Sequence, residues 1–123
     1  MIFPVNIEWT GDLKIDQTVD IGPFTTINCK EQIIIQHNTL ISPGVCIVDF
    51  DHNTSGEDLG NIWKDSTEPV LIGHHSWIGA NSVILKGVVL GPFCVVGAGS
   101  VVTHSFPEKS IIVGNPARLL RKR

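Results

Sequence analysis

Large aliphatic residues recur at every sixth position along most of this chain of 123 residues. They fall in three runs, which are separated by two breaks in the spacing. The series consists of Ile15, Ile21, Ile27, Ile35, Ile41, Ile47, Ile72, Ile78, Ile84, Leu90, Val96 and Val102. An α-helix repeats its apolar positions about every 3.6 residues and a simple strand every two. A period of six therefore predicts short strands joined by corners and stacked as a repeat.

Small residues stand at fixed distances from these aliphatic positions. Glycine often follows directly, as at Gly22 and Gly79, and a small or β-branched residue comes four positions after, as at Thr25 and Ser82. Three six-residue units make one triangular coil, in which the large side chain fills a corner and the small one packs beside it. The pattern predicts an all-β parallel β-helix of about four to five triangular coils.

Two interruptions break the repeat. The spacing from Ile27 to Ile35 is eight, which predicts a bulged corner near residues 30–31. A longer polar segment, about residues 49–69, has no repeat, and such loops in compact domains are usually functional. Since the hexads resume in phase, we expect a loop that protrudes while the coil continues beneath it. We expect one domain over residues 1–123, with a short C-terminal tail at 114–123.

Composition narrows the class of protein. The formal net charge of −3 argues against non-specific binding to nucleic acid, which requires a basic face. No apolar run is long enough to span a membrane, and the first residues do not resemble a signal peptide. Three scattered cysteines favour neither a disulfide framework nor a structural zinc site. We therefore expect a cytoplasmic protein.

Four ordered segments carry a family resemblance. They are residues 41–52, with Ile41-Ser42-Pro43-Gly44 at the start and Asp51-His52 at the end; residues 76–88; residues 96–103; and residues 113–118. The sequence resembles the hexapeptide-repeat acyltransferases, and among them the O-acetyltransferases of sugars and polysaccharides. The resemblance implies a left-handed parallel β-helix, a homotrimer with active sites between subunits, acetyl-CoA as the acyl donor, a small-molecule acceptor and no metal.

His52 is the predicted catalytic residue. An acceptor hydroxyl is a poor nucleophile until a base removes its proton, and histidine is the side-chain type suited to this near neutral pH. By resemblance His52 matches the family's catalytic histidine, and both substrates bind together for direct transfer. Asp49 or Asp51 could orient the imidazole, as could a backbone carbonyl. Trp77 and Asp51 are the predicted acceptor-binding residues.

The resemblance also predicts the donor site. The backbone N–H of Ala80 matches the position that faces the thioester carbonyl, where it would stabilise an oxyanion. Ala98, Ser100 and Thr103 match positions along the pantetheine arm of coenzyme A. Two C-terminal cations, Arg118 and Arg121, match residues near the nucleotide phosphates.

Other functions stay open at this point. A γ-class carbonic anhydrase uses the same fold with zinc held by three histidines, but two of the matching places here hold Asn81 and Lys86, which are poor zinc ligands. A β-helix that only binds or assembles is the second alternative. The acceptor could be a sugar, an amino sugar or an antibiotic, with transfer to oxygen or nitrogen. The remaining histidines are interpreted as surface residues: His37, His74, His75 and His104.

Overall fold

The computed structural model describes residues 4–53 and 64–123. Within these ranges the regular structure is all strand, and no helix is long and apolar enough to cross a membrane. The seventeen strands are β1 (Asn6–Trp9), β2 (Asp12–Ile15), β3 (Asp20–Ile21), β4 (Thr26–Cys29), β5 (Gln32–Ile35), β6 (Leu40–Ile41), β7 (Cys46–Val48), β8 (Phe50–His52), β9 (Asp65–Thr67), β10 (Val70–Ile72), β11 (Trp77–Ile78), β12 (Val83–Ile84), β13 (Val89–Leu90), β14 (Val95–Val96), β15 (Val101–Val102), β16 (Ser110–Gly114) and β17 (Ala117–Lys122).

The chain winds through three parallel sheets in turn. Sheet A has the order β1-β4-β7-β12-β15, sheet B the order β2-β5-β10-β13, and sheet C the order β3-β6-β11-β14-β16. Each passage through A, B and C completes one coil, so the five strands of sheet A mark five coils. The prediction of a parallel β-helix with four to five coils is confirmed.

The hexad residues form the interior. Ten of the twelve predicted aliphatic residues, from Ile27 onwards, are at most 2 % exposed. Ile15 and Ile21 are only partly buried, because they lie in the first coil, which has a neighbouring coil on one side only. The small partners are buried as well, and their hydroxyls bond across coils: Thr39 Oγ1 donates to the carbonyl of Gly73 at 3.1 Å. A larger side chain at these positions would push neighbouring coils apart.

Three corners connect the sheets, and we name them the A–B, B–C and C–A corners after the sheets that they join. Asn6 pairs with Thr26, twenty residues on, whereas Val83 pairs with Val101, eighteen residues on. The two extra residues of the early coils lie at the A–B corner. The predicted bulge at residues 30–31 is confirmed, and an equivalent bulge at residues 10–11, which the hexad analysis missed, lies one coil before it.

The long loop leaves from this same A–B corner. Its two ends form an antiparallel hairpin of β8 and β9, in which His52 is paired with Asp65. The part of the predicted loop at residues 54–63 lies outside the described residues. After the hairpin, Ile72 pairs with Ile35 of the preceding coil, so the repeat resumes in phase as predicted.

The predicted C-terminal tail is an ordered strand. β17 turns back and pairs antiparallel with β16, placing Arg118 opposite Val113 and Arg121 opposite Ile111. It thereby adds a sixth strand to sheet C and covers the edge of the last coil.

Candidate active site

Asp49 anchors the root of the hairpin. Its side chain is fully buried, and its carboxylate accepts hydrogen bonds from the backbone N–H groups of Lys30, Glu31 and Gln32 at 2.8, 2.7 and 2.8 Å. These three donors belong to the bulged corner of the preceding coil. The expectation that Asp49 could orient His52 is wrong, because its two oxygens are committed to this corner.

The carboxylate beside His52 comes from the returning strand. Nδ1 of His52 lies 3.3 Å from Oδ1 of Asp65, while Oδ2 of Asp65 accepts a hydrogen bond from Nζ of Lys30 at 2.6 Å. The hydrogen bond from Lys30, together with the Lys30 charge and a smaller contribution from the neighbouring His52, lowers the pKa of Asp65. An Nδ1–H directed at a carboxylate fixes the tautomer in which Nε2 can accept a proton.

His52 is accessible to a ligand, since its side chain is 52 % exposed. It stands at the end of a short strand that Asp49 and the hairpin pairing hold in place. The Lys30 ammonium lies 4.2 Å from the centre of the Phe50 ring, which further fixes the cation beneath the hairpin. The arrangement is an oriented imidazole at a solvent-accessible rim, a suitable geometry for general-base chemistry.

Asp51 makes a different contact from His52. Successive residues of a strand point to opposite faces, and Asp51 Oδ1 pairs with Nζ of Lys86 at 2.9 Å. The Lys86 ammonium also donates to Oγ of Ser66 at 2.9 Å. Asp51 therefore does not orient His52, and its role toward an acceptor stays a prediction. Lys86, one of the two places considered for zinc, holds an ion-paired ammonium.

Trp77 lies on the outer surface of sheet C. Its indole N–H donates to Oγ of Ser42 at 3.0 Å, and the residue is 52 % exposed. Beside it is a groove of about 210 Å³, lined in part by Asp20, Leu40 and Pro43. Trp77 and Asp51 belong to different faces of one coil stack, so a single chain does not bring these two predicted acceptor residues together.

Ala80 and Ala98 lie one above the other at the C–A corner. The backbone N–H of Gly99 donates to the carbonyl of Ala80 at 2.8 Å, whereas the N–H of Ala80 has no hydrogen-bond partner within residues 4–53 and 64–123. Gly79 permits this close stacking, because a Cβ there would lie 2.6 Å from Ala98 N and from Val96 O. The N–H of Ala98 likewise has no partner among the described residues, so the corner offers two unsatisfied backbone donors and little side-chain bulk.

The other predicted donor-site residues are spread over neighbouring parts of the stack. Ser100 is 1 % exposed and its hydroxyl accepts the N–H of Gly114 at 3.1 Å, so any contact with a ligand is restricted to its main chain. Thr103 lies at the A–B corner and is half-buried. Arg118 and Arg121 are exposed on β17.

Sequence reasoning missed two features that the structure shows. One is Asp65, whose distance from His52 depends on a loop without repeat. The other is a cluster of His37, His74 and His75 at the B–C corner, where their ligand nitrogens lie within 4.8 Å of one another. Cys46 pairs with Val83 of the next coil, which is 37 residues further along the chain. His37 and His74 are separated by the same 37 residues, so they occupy equivalent places in neighbouring coils. Counting the chain register across the loop would therefore have revealed this cluster.

Comparison with known proteins agrees with the geometry. The family model described as "Bacterial transferase hexapeptide (six repeats)" matches residues 69–104. A galactoside O-acetyltransferase of Escherichia coli (strain K12) is 31 % identical over 119 residues, covering 97 % of this chain and 58 % of the relative. The maltose O-acetyltransferase from Clostridium difficile 630 superposes with a TM-score of 0.68 at 31 % identity, covering 97 % of this chain and 66 % of that one.

A third similar protein is AntD, an N-acyltransferase from Bacillus cereus, whose structure is a complex with dTDP and 3-hydroxybutyryl-CoA. The TM-score is 0.80 at 26 % identity, over 98 % of this chain and 70 % of that chain. The fold and the corner motifs together define a left-handed parallel β-helix built from hexapeptide repeats. This chain belongs to the hexapeptide-repeat family. It spans less than two thirds of the length of the first curated relatives, at 61, 38 and 58 %.

Proposed function

We propose that this protein transfers an acetyl group from acetyl-CoA to a hydroxyl, or an amine, of a small sugar-like acceptor, with His52 as the general base. The pairing of His52 Nδ1 with Asp65 at 3.3 Å carries the proposal, because it orients an accessible imidazole. The names of the relatives support the reaction class: they include sugar O-acetyltransferases and a CoA-bound N-acyltransferase.

The proposed site lies between two copies of the chain in a homotrimer. His52 projects from the A–B corner, while Ala80 and Ala98 lie at the C–A corner. Sheet A separates these two corners within one coil, so one chain by itself keeps the base and the donor slot apart. Three copies that face one another through sheet A would set the A–B corner of each beside the C–A corner of the next.

The transfer proceeds directly, without an acyl-enzyme. Nε2 of His52 accepts the acceptor proton as the acceptor oxygen bonds to the thioester carbonyl carbon. The N–H of Ala80 in the neighbouring copy donates to the oxyanion that forms. Cleavage of the C–S bond then releases the coenzyme A thiolate, to which the His52 imidazolium returns its proton. Asp65 stabilises the imidazolium between these two proton transfers.

The cysteines do not compete with this route. Burial, with the nearby Asp49 charge second, raises the pKa of the Cys29 thiol to about 11, and burial also raises the pKa of Cys46 and Cys94. A thiol of raised pKa holds little thiolate at neutral pH and is a poor nucleophile. All three are free, which supports the proposed cytoplasmic location.

Arg118 and Arg121 are proposed to bind the phosphates of coenzyme A. They lie on β17, directly above the last coil, and Arg118 is close to the C–A corner because Gly114 bonds to Ser100. Exposed guanidinium groups on an ordered strand can reach a ligand lying along that corner. Thr103 and the main chain of Ser100 complete the proposed pantetheine-binding set.

Release of free thiol from acetyl-CoA, measured against a panel of sugars, amino sugars and aminoglycosides, tests the proposal. We expect acceptor-dependent release and a thermal shift with coenzyme A alone, which Arg118→Ala reduces. If the protein bound coenzyme A but transferred acetyl to none of the acceptors, the interpretation as a binding module would be favoured. Absence of both signals, in a chain shown to be trimeric, would contradict the proposed function.

A further inference from the structure

Three imidazoles converge at the B–C corner, away from the proposed active seam. His37 follows β5, and His74 and His75 follow β10 in the next coil. One ligand nitrogen from each lies within 4.8 Å of the other two. His37 and His75 are exposed and His74 is half-buried, so an ion from solvent can reach them.

The contacts among the three rings are close. Nδ1 of His74 and Nδ1 of His75 are 2.9 Å apart, which requires one of the two nitrogens to carry a proton when no ion lies between them. The rings of His37 and His74 stack with centroids 4.7 Å apart and an interplanar angle of 8°. One ring nitrogen of each histidine thus lies within 4.8 Å of the other two, and a shared ion would replace the proton between His74 and His75.

Surrounding residues hold the rings in place. Phe93 of the following coil stacks on His75 at 5.0 Å between ring centroids. Nδ2 of Asn38 donates a hydrogen bond to Nε2 of His75 at 3.2 Å, and turning the amide over would let Asn38 Oδ1 accept a proton from that nitrogen instead. Gln36 accepts the backbone N–H of His74 at 3.0 Å. Such outer contacts fix the tautomer and orientation of a metal-binding imidazole.

We propose that His37, His74 and His75 bind a divalent first-row transition metal, with Zn²⁺ as the ion to test. Neutral imidazole suits zinc, copper and nickel. Tetrahedral zinc with bonds of about 2.0–2.1 Å brings its ligand nitrogens to about 3.3 Å from one another. In the structure His74 Nδ1 and His75 Nδ1 are 2.9 Å apart, and the three ligand nitrogens all lie within 4.8 Å of one another. A cavity of about 470 Å³ adjoins His37 and His74 and leaves room for water as the fourth ligand.

This site differs from the zinc arrangement considered in the sequence analysis. All three ligands come from one chain, and they lie at the B–C corner instead of the places held by Asn81 and Lys86. The ion takes no part in acetyl transfer. It joins the coil before the long loop to the coil after it, and an ion that binds only the folded chain stabilises that chain.

Calorimetric titration of the untagged chain of 123 residues with ZnCl₂, after treatment with EDTA and dialysis, tests this inference. We expect one ion per chain. Affinity should fall more than about 100-fold in His37→Ala and His75→Ala, and by about 10- to 100-fold in Asn38→Ala, which removes an outer contact. His104→Ala removes an exposed histidine outside the cluster and should bind as the unmodified protein does.

Thermal unfolding gives a second readout. Zinc should raise the midpoint of the unmodified chain and of His104→Ala, but not that of His37→Ala. Binding that is unchanged in both His37→Ala and His75→Ala, or no saturable binding to the unmodified chain, would overturn the metal site. Acetyl transfer measured with and without EDTA should be equal, so failure of this site leaves the proposed function intact.

Discussion

Two corners of the same coils have opposite chemistry. At the A–B corner charged groups of opposite sign are paired: His52 and Lys30 face Asp65, and Lys86 faces Asp51. At the B–C corner three imidazoles face one another and an aromatic ring. The carboxylate at the A–B corner stabilises the protonated form of the His52 imidazole. The three imidazoles at the B–C corner instead favour a metal ion, which binds neutral rings in place of protons.

The two corners also arise differently. The B–C corner follows from the repeat, since register places His74 above His37. The A–B corner depends on inserted residues, and a buried Asp49 is needed to join the insertion of one coil to the hairpin of the next. An insertion at a corner can therefore add a catalytic group without disturbing the coils. Substitutions within the repeat, as at the B–C corner, can create a binding site only from side chains that already stack in neighbouring coils.

The largest expected effect is on turnover at the A–B corner. His52→Ala should lower kcat for acetyl transfer by about 10²- to 10⁴-fold, because a positioned general base contributes that much. Coenzyme A binding and oligomeric state should be unchanged. The matched control is His104→Ala, an exposed histidine at the same corner, which should retain kcat. Equal turnover in His52→Ala and the unmodified enzyme would remove His52 as the base.

Asp49→Ala tests whether the insertion depends on one buried carboxylate. Three backbone donors lose a charged acceptor, and hydrogen bonds to charged groups contribute about 1.5–3 kcal/mol each, so the free energy of unfolding should fall by at least about 3 kcal/mol. Urea denaturation at fixed protein concentration measures this. Asp12→Ala, which removes an exposed carboxylate, should cost less than about 1 kcal/mol. Equal losses would mean that Asp49 is not the anchor.

Asp65→Asn should have an intermediate effect on activity. The amide keeps the shape of the side chain but loses the charge that stabilises the His52 imidazolium, and loss of such an outer contact costs about 10- to 100-fold. We expect the loss in kcat, with the dissociation constant of coenzyme A unchanged. Asp12→Asn serves as the control. A kcat equal to that of the unmodified enzyme would show that the two side chains are neighbours without functional coupling.

The smallest expected effect concerns Lys30. Its hydrogen bond lowers the pKa of Asp65 below the ordinary 3.8, so the pair contributes stability above that pH and loses it as the pH falls through the lowered value. The difference in unfolding midpoint between the unmodified chain and Lys30→Met should therefore narrow below about pH 4. In an Asp65→Asn background the same difference should no longer vary with pH.

The sequence predicted the coils because a period of six depends on packing alone. Ile47, Ile72 and Ile84 could be assigned to the interior from spacing, and all three are completely buried in the structure. His52 was found through its motif. Its partner Asp65 was not found, because Asp65 follows a segment that has no repeat. Asp49 was considered as the partner only because it is close to His52 in the sequence. The register of the coils would have placed His74 next to His37. That inference requires the residues of the long loop to be subtracted from the repeat first.

A mixed-oligomer experiment tests the central claim most directly, namely that His52 of one copy acts on a donor held at the C–A corner of the next. His52→Ala and Ala98→Trp should each be inactive alone, the second because an indole at this exposed corner fills the donor slot. Refolded together, they should regain about one quarter of full activity, since mixed trimers carry one intact site each. Mixtures that stay inactive, although mixed trimers form, would contradict a site shared between copies.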